Sequence, residues 1–335
     1  MESTSSLIEP DLSSFMPLGR PVCEGDAGCR VDLFLAREFR FHSRAEWQHE
    51  LKRGQVRIDD RTMKSSYRLR IGDELMRFHS VENEPEANTD VRILWQQGDI
   101  LAAYKPSPLP MHENGPYRTK TFAHVLNEIA GPEWGAVHRL DRETSGIVLC
   151  GRTSTMRAML SKQFADNQIE KTYLAITFGE TAQTKWTENR AIGEHASSKV
   201  RIKRGINPEG QSALTNFESL LTANNRSLVL AQPKTGRTGQ IRIHLAATGH
   251  HLLGDILYHP VEDVFLNWWE QGRSAFVDEH VVSSRLCLHA CQLRFINPES
   301  AQSVVIECDP SEDFWKWMPS GAQAWACSRN KKVIS

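Results

Sequence analysis

Gly135-Ala136-Val137-His138-Arg139-Leu140 runs into Asp141-Arg142-Glu143-Thr144-Ser145 and leaves through Gly146-Ile147-Val148-Leu149-Cys150. Both flanks are apolar runs of strand length, bounded by glycine and polar residues. The five residues between them are too polar for a core and too few for a linker, so they read as a tight connection between two strands. A carboxylate displayed there, with Arg139 two residues before it and hydroxyls at Thr144 and Ser145, can be held ionised and aimed. That arrangement suits a nucleophile. An Asx-type turn, in which Asp141 bonds only nearby backbone groups, accounts for the same residues. The stretch by itself leaves both readings open.

Outward from this turn the chain is strand-rich. Residues 91–95 and 100–104 read as a hairpin, residues 123–129 as a helix, and Thr153 or Ser154 as the cap of a helix ending near Asn167. Strands are expected at residues 172–178, 228–231, 241–245 and 304–308. Lys199-Val200-Arg201-Ile202-Lys203 alternates cations with β-branched residues, the pattern of a half-buried strand with one cationic face, closed by a turn at residues 205–210. Strands in this order, with few helices and no βαβ alternation, give an α+β fold with a mixed, largely antiparallel sheet.

The 335 residues exceed a typical single domain, so a large domain with a small one is expected. Residues 1–29, rich in Ser, Pro and acidic groups, read as a flexible extension. Residues 30–78 change character: an apolar-periodic helix opens at Val31, Ser43 caps a second, and short strands follow at residues 55–58 and 69–71 around an Asp59-Asp60 turn. This segment carries 12 Lys/Arg against 8 Asp/Glu. Its cations Arg40, Arg44, Lys52, Arg53 and Arg57 gather around the second helix, where they suit phosphate contact. The polar residues 79–90 read as a linker, residues 91–320 as the main domain and residues 321–335 as a tail.

Hydrophobic residues make up 40% and charged residues 24%, as in an ordinary soluble protein. The formal net charge of −1 does not exclude a nucleic-acid partner, because local patches contact phosphates. Seven cysteines, an odd and scattered set, argue against a disulfide framework, and no pair completes a zinc site. No signal-peptide pattern or membrane-length apolar run is present, so we expect a cytoplasmic protein without membrane partners. No dinucleotide fingerprint or phosphate-binding glycine loop points to a cofactor.

His138-Arg139-Leu140-Asp141 with Thr144-Ser145-Gly146 resembles the signature of the RluA-type family of RNA pseudouridine synthases. Two further blocks match in order: residues 171–176, Lys-Thr-Tyr-Leu-Ala-Ile, and residues 235–245, Thr-Gly-Arg-Thr-Gly-Gln-Ile-Arg-Ile-His-Leu. The second continues through Gly249-His250 to Leu253-Gly254-Asp255 and Tyr258. Weaker echoes are Lys105-Pro106 and Leu288-His289-Ala290, so the similarity runs from about residue 91 to about residue 310. Residues 30–78 resemble the small S-four RNA-binding module of ribosomal proteins.

The resemblance implies a cleft in the sheet and the isomerisation of uridine to pseudouridine, with no cofactor and no metal. Asp141 is then the nucleophile, Arg242 its bidentate partner, and Tyr173 the ring beneath the target base, its hydroxyl assisting removal of the C5 proton. Arg139 fills the space vacated by a flipped base or grips its phosphate. His138, Thr144, Lys105, Arg237 and Gln240 complete the expected substrate contacts. Lys199, Arg201 and Lys203, with Arg204, track the RNA backbone, and Arg44, Lys52 and Arg53 add a second grip.

The expected substrate is ribosomal RNA of the large subunit, with tRNA as the alternative, and a monomer suffices. A ribosome-assembly factor with an unused cleft is the competing reading. A glycosidase-like hydrolase would need a second carboxylate, for which only Glu143 stands close. Two departures from the family pattern stand out. Gly239 replaces the usual His and removes a side chain beside the cleft, and Ser107-Pro108 replaces the usual Ala-Gly.

Overall fold

The computed structural model describes residues 15–39, 42–78, 84–200 and 202–323. The chain divides into two units, Met1–Pro85 and Glu86–Ser335. In the smaller unit, strands β1 (Phe15–Pro17), β2 (Val56–Ile58), β3 (Arg61–Thr62) and β4 (Leu75–Phe78) form an antiparallel sheet in the order β1-β4-β2-β3. Helices α1 (Val31–Glu38) and α2 (Arg44–Lys52) pack their apolar residues, Val31, Phe34, Leu35, Trp47 and Leu51, with Val56 and Leu75 of the sheet. Ser43 caps α2 in a full capping box with Glu46, each side chain bonding the other's backbone N–H.

Two expectations for this unit are corrected. Strand β1 pairs with β4 and Val22 joins the core, so residues 15–29 belong to the folded unit rather than to an extension. Residues 1–14 lie outside the described residues. Residues 69–71 form no strand, because Leu69 exchanges backbone hydrogen bonds with the 28–29 loop and Asp73 accepts the N–H of Arg70 in a turn. Of the segment expected to be a linker, residues 79–83 are outside the described residues. Within the larger unit, Ala87 packs on the core and the Asn88 N–H donates to Pro108 O.

The larger unit is built on a ten-stranded sheet. Its strands are β5 (Arg92–Gln97), β6 (Ile100–Lys105), β7 (Gly135–Ala136), β8 (Ser145–Gly151), β9 (Glu170–Phe178), β10 (Lys185–Glu188), β13 (Thr215–Ala223), β14 (Arg226–Pro233), β15 (Leu288–Ile296) and β16 (Ser303–Glu307). The main path runs β10-β13-β14-β9-β15-β8-β6-β5, with β7 on β8 and β16 on β15. The contact between β15 and β8 is parallel and the other pairings are antiparallel. Strands β11 (Ile192–Glu194) and β12 (Arg204–Ile206) form a separate ribbon.

Alternation along the central strands divides the core. Every residue of β6 and β8 is buried. Leu101, Ala103, Val148 and Cys150 face α3 (Phe122–Ala130), whereas Ile100, Ala102, Ile147 and Leu149 face α4 (Ser154–Ala165). Thr121 and Thr153 cap these helices with their hydroxyls. Farther along the sheet α5 (Gln240–Ala247) covers β13 and β14, and the pair α6 (Asp263–Gln271) and α7 (Ala275–Val281) follows it, with α8 (Glu312–Trp315) near the end.

Three further readings change here. Residues 241–245 lie in a helix, not a strand. Residues 137–140 leave β7 as an irregular approach to the turn. Residues 198–200 and 202–203 lie outside any strand: Ser198 Oγ and the Lys199 N–H both donate to the Glu262 carboxylate, and the strand begins only at Arg204.

Candidate active site

Register brings the catalytic-looking groups together. Gly146 of β8 sits beside Ala290 of β15, and Ala290 sits beside Tyr173 of β9. The Asp141 turn therefore ends two strand spacings, roughly 10 Å, from Tyr173 on the same face. Gly146 makes this possible: at φ +126° a Cβ would stand 2.3 Å from the Ala290 carbonyl oxygen. The turn is closed by the Thr144 N–H donating to Asp141 O at 3.0 Å. Ser145 does not serve Asp141; its hydroxyl is buried between Arg285 Nη2 at 2.6 Å and His289 Nδ1 at 2.8 Å.

A cleft of about 440 Å³ opens over this register. It is lined by residues 137–141, Thr144, Lys171, Tyr173 and residues 235–242. Asp141 lies within it, its side chain 24% exposed. Arg242 Nη1 donates to Asp141 Oδ2 at 3.2 Å. The expected bidentate pairing is corrected: Nε and Nη2 of Arg242 take both oxygens of Asp255, at 2.8 and 2.7 Å. Burial opposes the Arg242 charge, but the Asp255 carboxylate outweighs it and holds the guanidinium firmly protonated. The Tyr258 ring lies 4.8 Å from the guanidinium carbon, a cation–π contact that supports it from another side.

Helix α5 explains how Arg242 reaches the cleft. Its residues 240–245 are all buried, so polar and apolar side chains alike point into protein. Gln240 Nε2 donates to Leu214 O and Thr215 Oγ1, and its Oε1 accepts from Thr235 Oγ1 and the Arg237 N–H. Gln240 thus shapes the 235–237 loop and has no amide group to spare for a substrate. Arg237 lines the cleft while its Nε donates to Ser212 O.

Tyr173 lines the cleft between β14 and β15. Burial, with the Asp141 charge, raises its hydroxyl well above the ordinary tyrosine value, so the phenol keeps its proton at neutral pH. It can donate a hydrogen bond, and acting as a base requires a change in charge around it. His138 stacks on Phe164 at 4.4 Å, accepts the Leu149 N–H through Nε2, and is pushed by burial to about 3, so it is a neutral wall. Arg139 is exposed at the rim and has no side-chain partner among the described residues. Thr144 is buried in the cleft wall.

Lys105 is not at the cleft surface. It is fully buried, and Nζ donates to Pro106 O, Arg142 O and Thr144 O at 3.0, 3.1 and 2.8 Å, so it clamps the turn from behind. Ser107, after a cis Ser107-Pro108 bond follows it, adds a contact from Oγ to Glu143 O at 2.6 Å. Glu143 bonds Arg142 and does not line the cleft, which removes it as a second catalytic carboxylate.

The outlying cations are dispersed. Lys199 is exposed and Lys203 half-buried, neither lining the cleft, and Arg201 lies outside the described residues. In the smaller unit Arg44 is tied to buried Asp32, which also binds Arg30 and Gln48, while Lys52 and Arg53 are exposed. Two residues absent from the expected set belong to the site: Asp255, and Lys171, which lines the cleft and donates to Thr235 O at 3.3 Å. Lys171 stands two residues before Tyr173 on one strand, a period-2 signal that places both on one face. Among the described residues no cluster suited to a metal ion occurs, and no helix is long and apolar enough to cross a membrane.

The family model for RNA pseudouridylate synthases matches residues 99–247, which hold Asp141, Tyr173 and Arg242. An RNA pseudouridine synthase of Synechocystis sp. is 31% identical over 68% of this chain and 78% of its own length. The ribosomal large subunit pseudouridine synthase C of Vibrio vulnificus is 28% identical over 89% of this chain and 94% of its own. The match to two plant relatives spans about 60% of their length. Among solved structures, human RNA pseudouridylate synthase domain containing 1 superimposes with a TM-score of 0.54 at 25% identity, covering 68% of this chain and 86% of that one. With this sheet and these matches, the chain belongs to the RluA-type family of RNA pseudouridine synthases.

Proposed function

We propose that the protein isomerises specific uridines of large-subunit ribosomal RNA to pseudouridine, with Asp141 as the nucleophile. One observation carries this reading: a partly exposed carboxylate meets a buried guanidinium at 3.2 Å in a cleft that Tyr173 also lines. Isomerisation breaks the bond from C1′ to N1, turns the base, and rejoins it through C5, with loss of the C5 proton and gain of one at the freed N1. A carboxylate can attack the sugar or base or stabilise developing positive charge, as in glycoside chemistry. Tyr173 offers a flat surface for the base and a protonated hydroxyl beside it.

A stacked uridine must first be flipped, at a cost of a few kcal/mol. Arg139, at the rim and with no side-chain partner among the described residues, would then occupy the vacated space. The choice of ribosomal RNA draws on the name of the Vibrio relative and on the smaller unit, whose exposed Lys52 and Arg53 suit a second grip on a large RNA. Among the described residues no disulfide occurs, which suits the cytoplasm.

The test is to map pseudouridine in ribosomal RNA and tRNA from cells lacking the protein, then to restore wild type or Asp141→Asn. We expect one or more sites in large-subunit RNA to vanish and to return only with wild type. A deletion strain that keeps every site sinks the enzymatic reading. Loss confined to tRNA overturns the choice of substrate, and rescue by Asp141→Asn removes the nucleophile.

A further inference from the structure

Among the described residues, two tryptophan or phenylalanine side chains are exposed, Trp269 at 63% and Phe276 at 38%. Both stand on the helix pair α6 and α7. None of the residues of this pair lines the cleft, and the pair follows the stretch, residues 99–247, that the family model matches. Its inner side is apolar: Val264, Val277 and Val281 form a small core on which Ile256 and Trp268 pack. We propose that its outer side is a docking surface for a cationic segment of another protein. Such a segment brings an apolar side chain to Trp269 and lysine or arginine to the acids around it.

Helical period sets apolar and acidic groups side by side on α6. At about 100° per residue, Val264 and Trp268 turn inward, and Phe265 and Trp269 share an edge one turn apart. Leu266 comes next around the helix, then Glu270 and Asp263. The Phe265 and Trp269 rings lie 6.2 Å apart and 20° from parallel, so a buried ring braces the exposed one. On α7 Phe276 rests against His280, their ring centroids 4.3 Å apart, and exposed Glu279 precedes the histidine. A lone exposed aromatic is ordinary on a protein surface, but a braced one continuous with further apolar surface marks an interaction site.

Charge decides the occupant. Residues 260–281 carry five acids, Glu262, Asp263, Glu270, Asp278 and Glu279, against one arginine. That arginine is engaged within the hairpin: Arg273 Nε donates to Asp278, and Nη1 and Nη2 donate to Ser284 O and Ser283 O at 3.1 and 2.9 Å. Glu262 accepts from Ser198 Oγ and the Lys199 N–H, with Lys203 near it. Those cations belong to the start of α6, about 10 Å along the axis from Trp269. Asp263, Glu270 and Glu279 are exposed and have no hydrogen-bond or ion-pair partner among the described residues.

Three unpaired carboxylates beside the tryptophan repel phosphate, which disfavours RNA and anionic lipid alike. A second copy of the chain, docked by the same face, sets acid against acid. A cationic peptide gains from both features: apolar burial on Trp269 and attraction to the carboxylates, with arginine also able to stack on the ring.

The probe is a random peptide display library selected on the full-length protein. Recovered peptides, and separately oligouridylate, are then titrated by fluorescence anisotropy at low and high ionic strength against wild type and two variants. One variant is Trp269→Ser; the other combines Asp263→Asn, Glu270→Gln and Glu279→Gln. We expect the recovered peptides to be net positive with an apolar anchor, and to lose about tenfold or more in affinity with Trp269→Ser. The charge variant should bind them several-fold more weakly and lose most of the salt dependence. Oligouridylate should bind all three proteins alike. Recovery of no peptide, of peptides that are not cationic, or of peptides that bind all three proteins equally overturns the proposal. So does an oligouridylate affinity that falls with Trp269→Ser as steeply as peptide affinity, because the face is then an RNA surface. Should Trp269→Ser not unfold at the wild-type midpoint, the charge variant carries the test. None of these measurements involves the isomerisation, so they stand apart from the fate of Asp141.

Discussion

Lys105→Met removes an ammonium from behind the Asp141 turn while keeping an unbranched apolar stem. In the wild type that ammonium satisfies Pro106 O, Arg142 O and Thr144 O inside a fully buried site. Methionine leaves these buried carbonyls without that donor, at about 1–3 kcal/mol for each one that finds no other. Release from the cost of burying a charge offsets part of this, so the expected loss of stability at neutral pH is about 1–3 kcal/mol.

The sign of the pH dependence is a sharper test. Burial lowers Lys105 from 10.5 to about 7 in the folded chain. Between those values the unfolded state binds more protons than the folded state, so the lysine's contribution to stability rises with pH. Below about 7 both states hold the proton and the contribution is flat. The gap between wild type and Lys105→Met should therefore widen above pH 7, by up to about 1.4 kcal/mol per pH unit. Calorimetry of both proteins over a pH series, following the transition of the larger unit, measures it. A gap that stays constant or narrows as pH rises would refute the assignment of a buried, strained charge to Lys105.

Two further variants probe the cleft. Tyr173→Phe keeps the ring and removes a hydroxyl that holds its proton firmly; losing that one hydrogen-bond donor should slow tritium release from RNA labelled at uridine C5 by about 10²–10³-fold with RNA affinity nearly unchanged, and a wild-type rate would show the hydroxyl to be dispensable. Gly146→Ala puts a Cβ 2.3 Å from the Ala290 carbonyl oxygen at φ +126°, which should cost at least 1–3 kcal/mol from backbone strain alone, ~3 kcal/mol or more with strand separation. Urea unfolding at an unchanged midpoint would contradict the close approach of β8 and β15.

What could be read in advance was what local residues determine. The polar turn at Asp141 and the buried strand after it are visible because turn chemistry and apolar runs are short-range signals. So are the caps at Ser43 and Thr153. What failed was set by distant partners. Lys105 sits in a recognisable Lys-Pro pair, but nothing local says that its ammonium turns inward to carbonyls 37 and 39 residues away. Lys199 to Lys203 alternates like a strand, yet Glu262, more than sixty residues on, takes hydrogen bonds from Ser198 and Lys199 and holds the start of this stretch away from strand pairing. Asp255 stood inside a quoted block without a role, because its hold on Arg242 crosses from one element to another.

The misreading of residues 240–245 bears directly on the site. Gln-Ile-Arg-Ile-His-Leu alternates polar and apolar residues, which is strand periodicity when polar means exposed. Here polar does not mean exposed. Gln240, Arg242 and His244 are as buried as the residues between them, each fully engaged: Gln240 with the 235–237 loop, Arg242 with two acids, His244 with Thr215 Oγ1 and Arg190 O. A helix surrounded by protein carries no amphipathic stripe to reveal it. Its N-cap is Gly239, left-handed at φ +68°, where a Cβ would stand 2.8 Å from the Tyr258 hydroxyl. Gly239 therefore does not simply leave a gap beside the cleft. Its missing side chain lets Tyr258 close against the helix start, and the same ring supports Arg242. The departure at 239 and the support of the ion pair are one packing arrangement, so a side chain restored at 239 acts on Arg242 through Tyr258 before it meets any RNA.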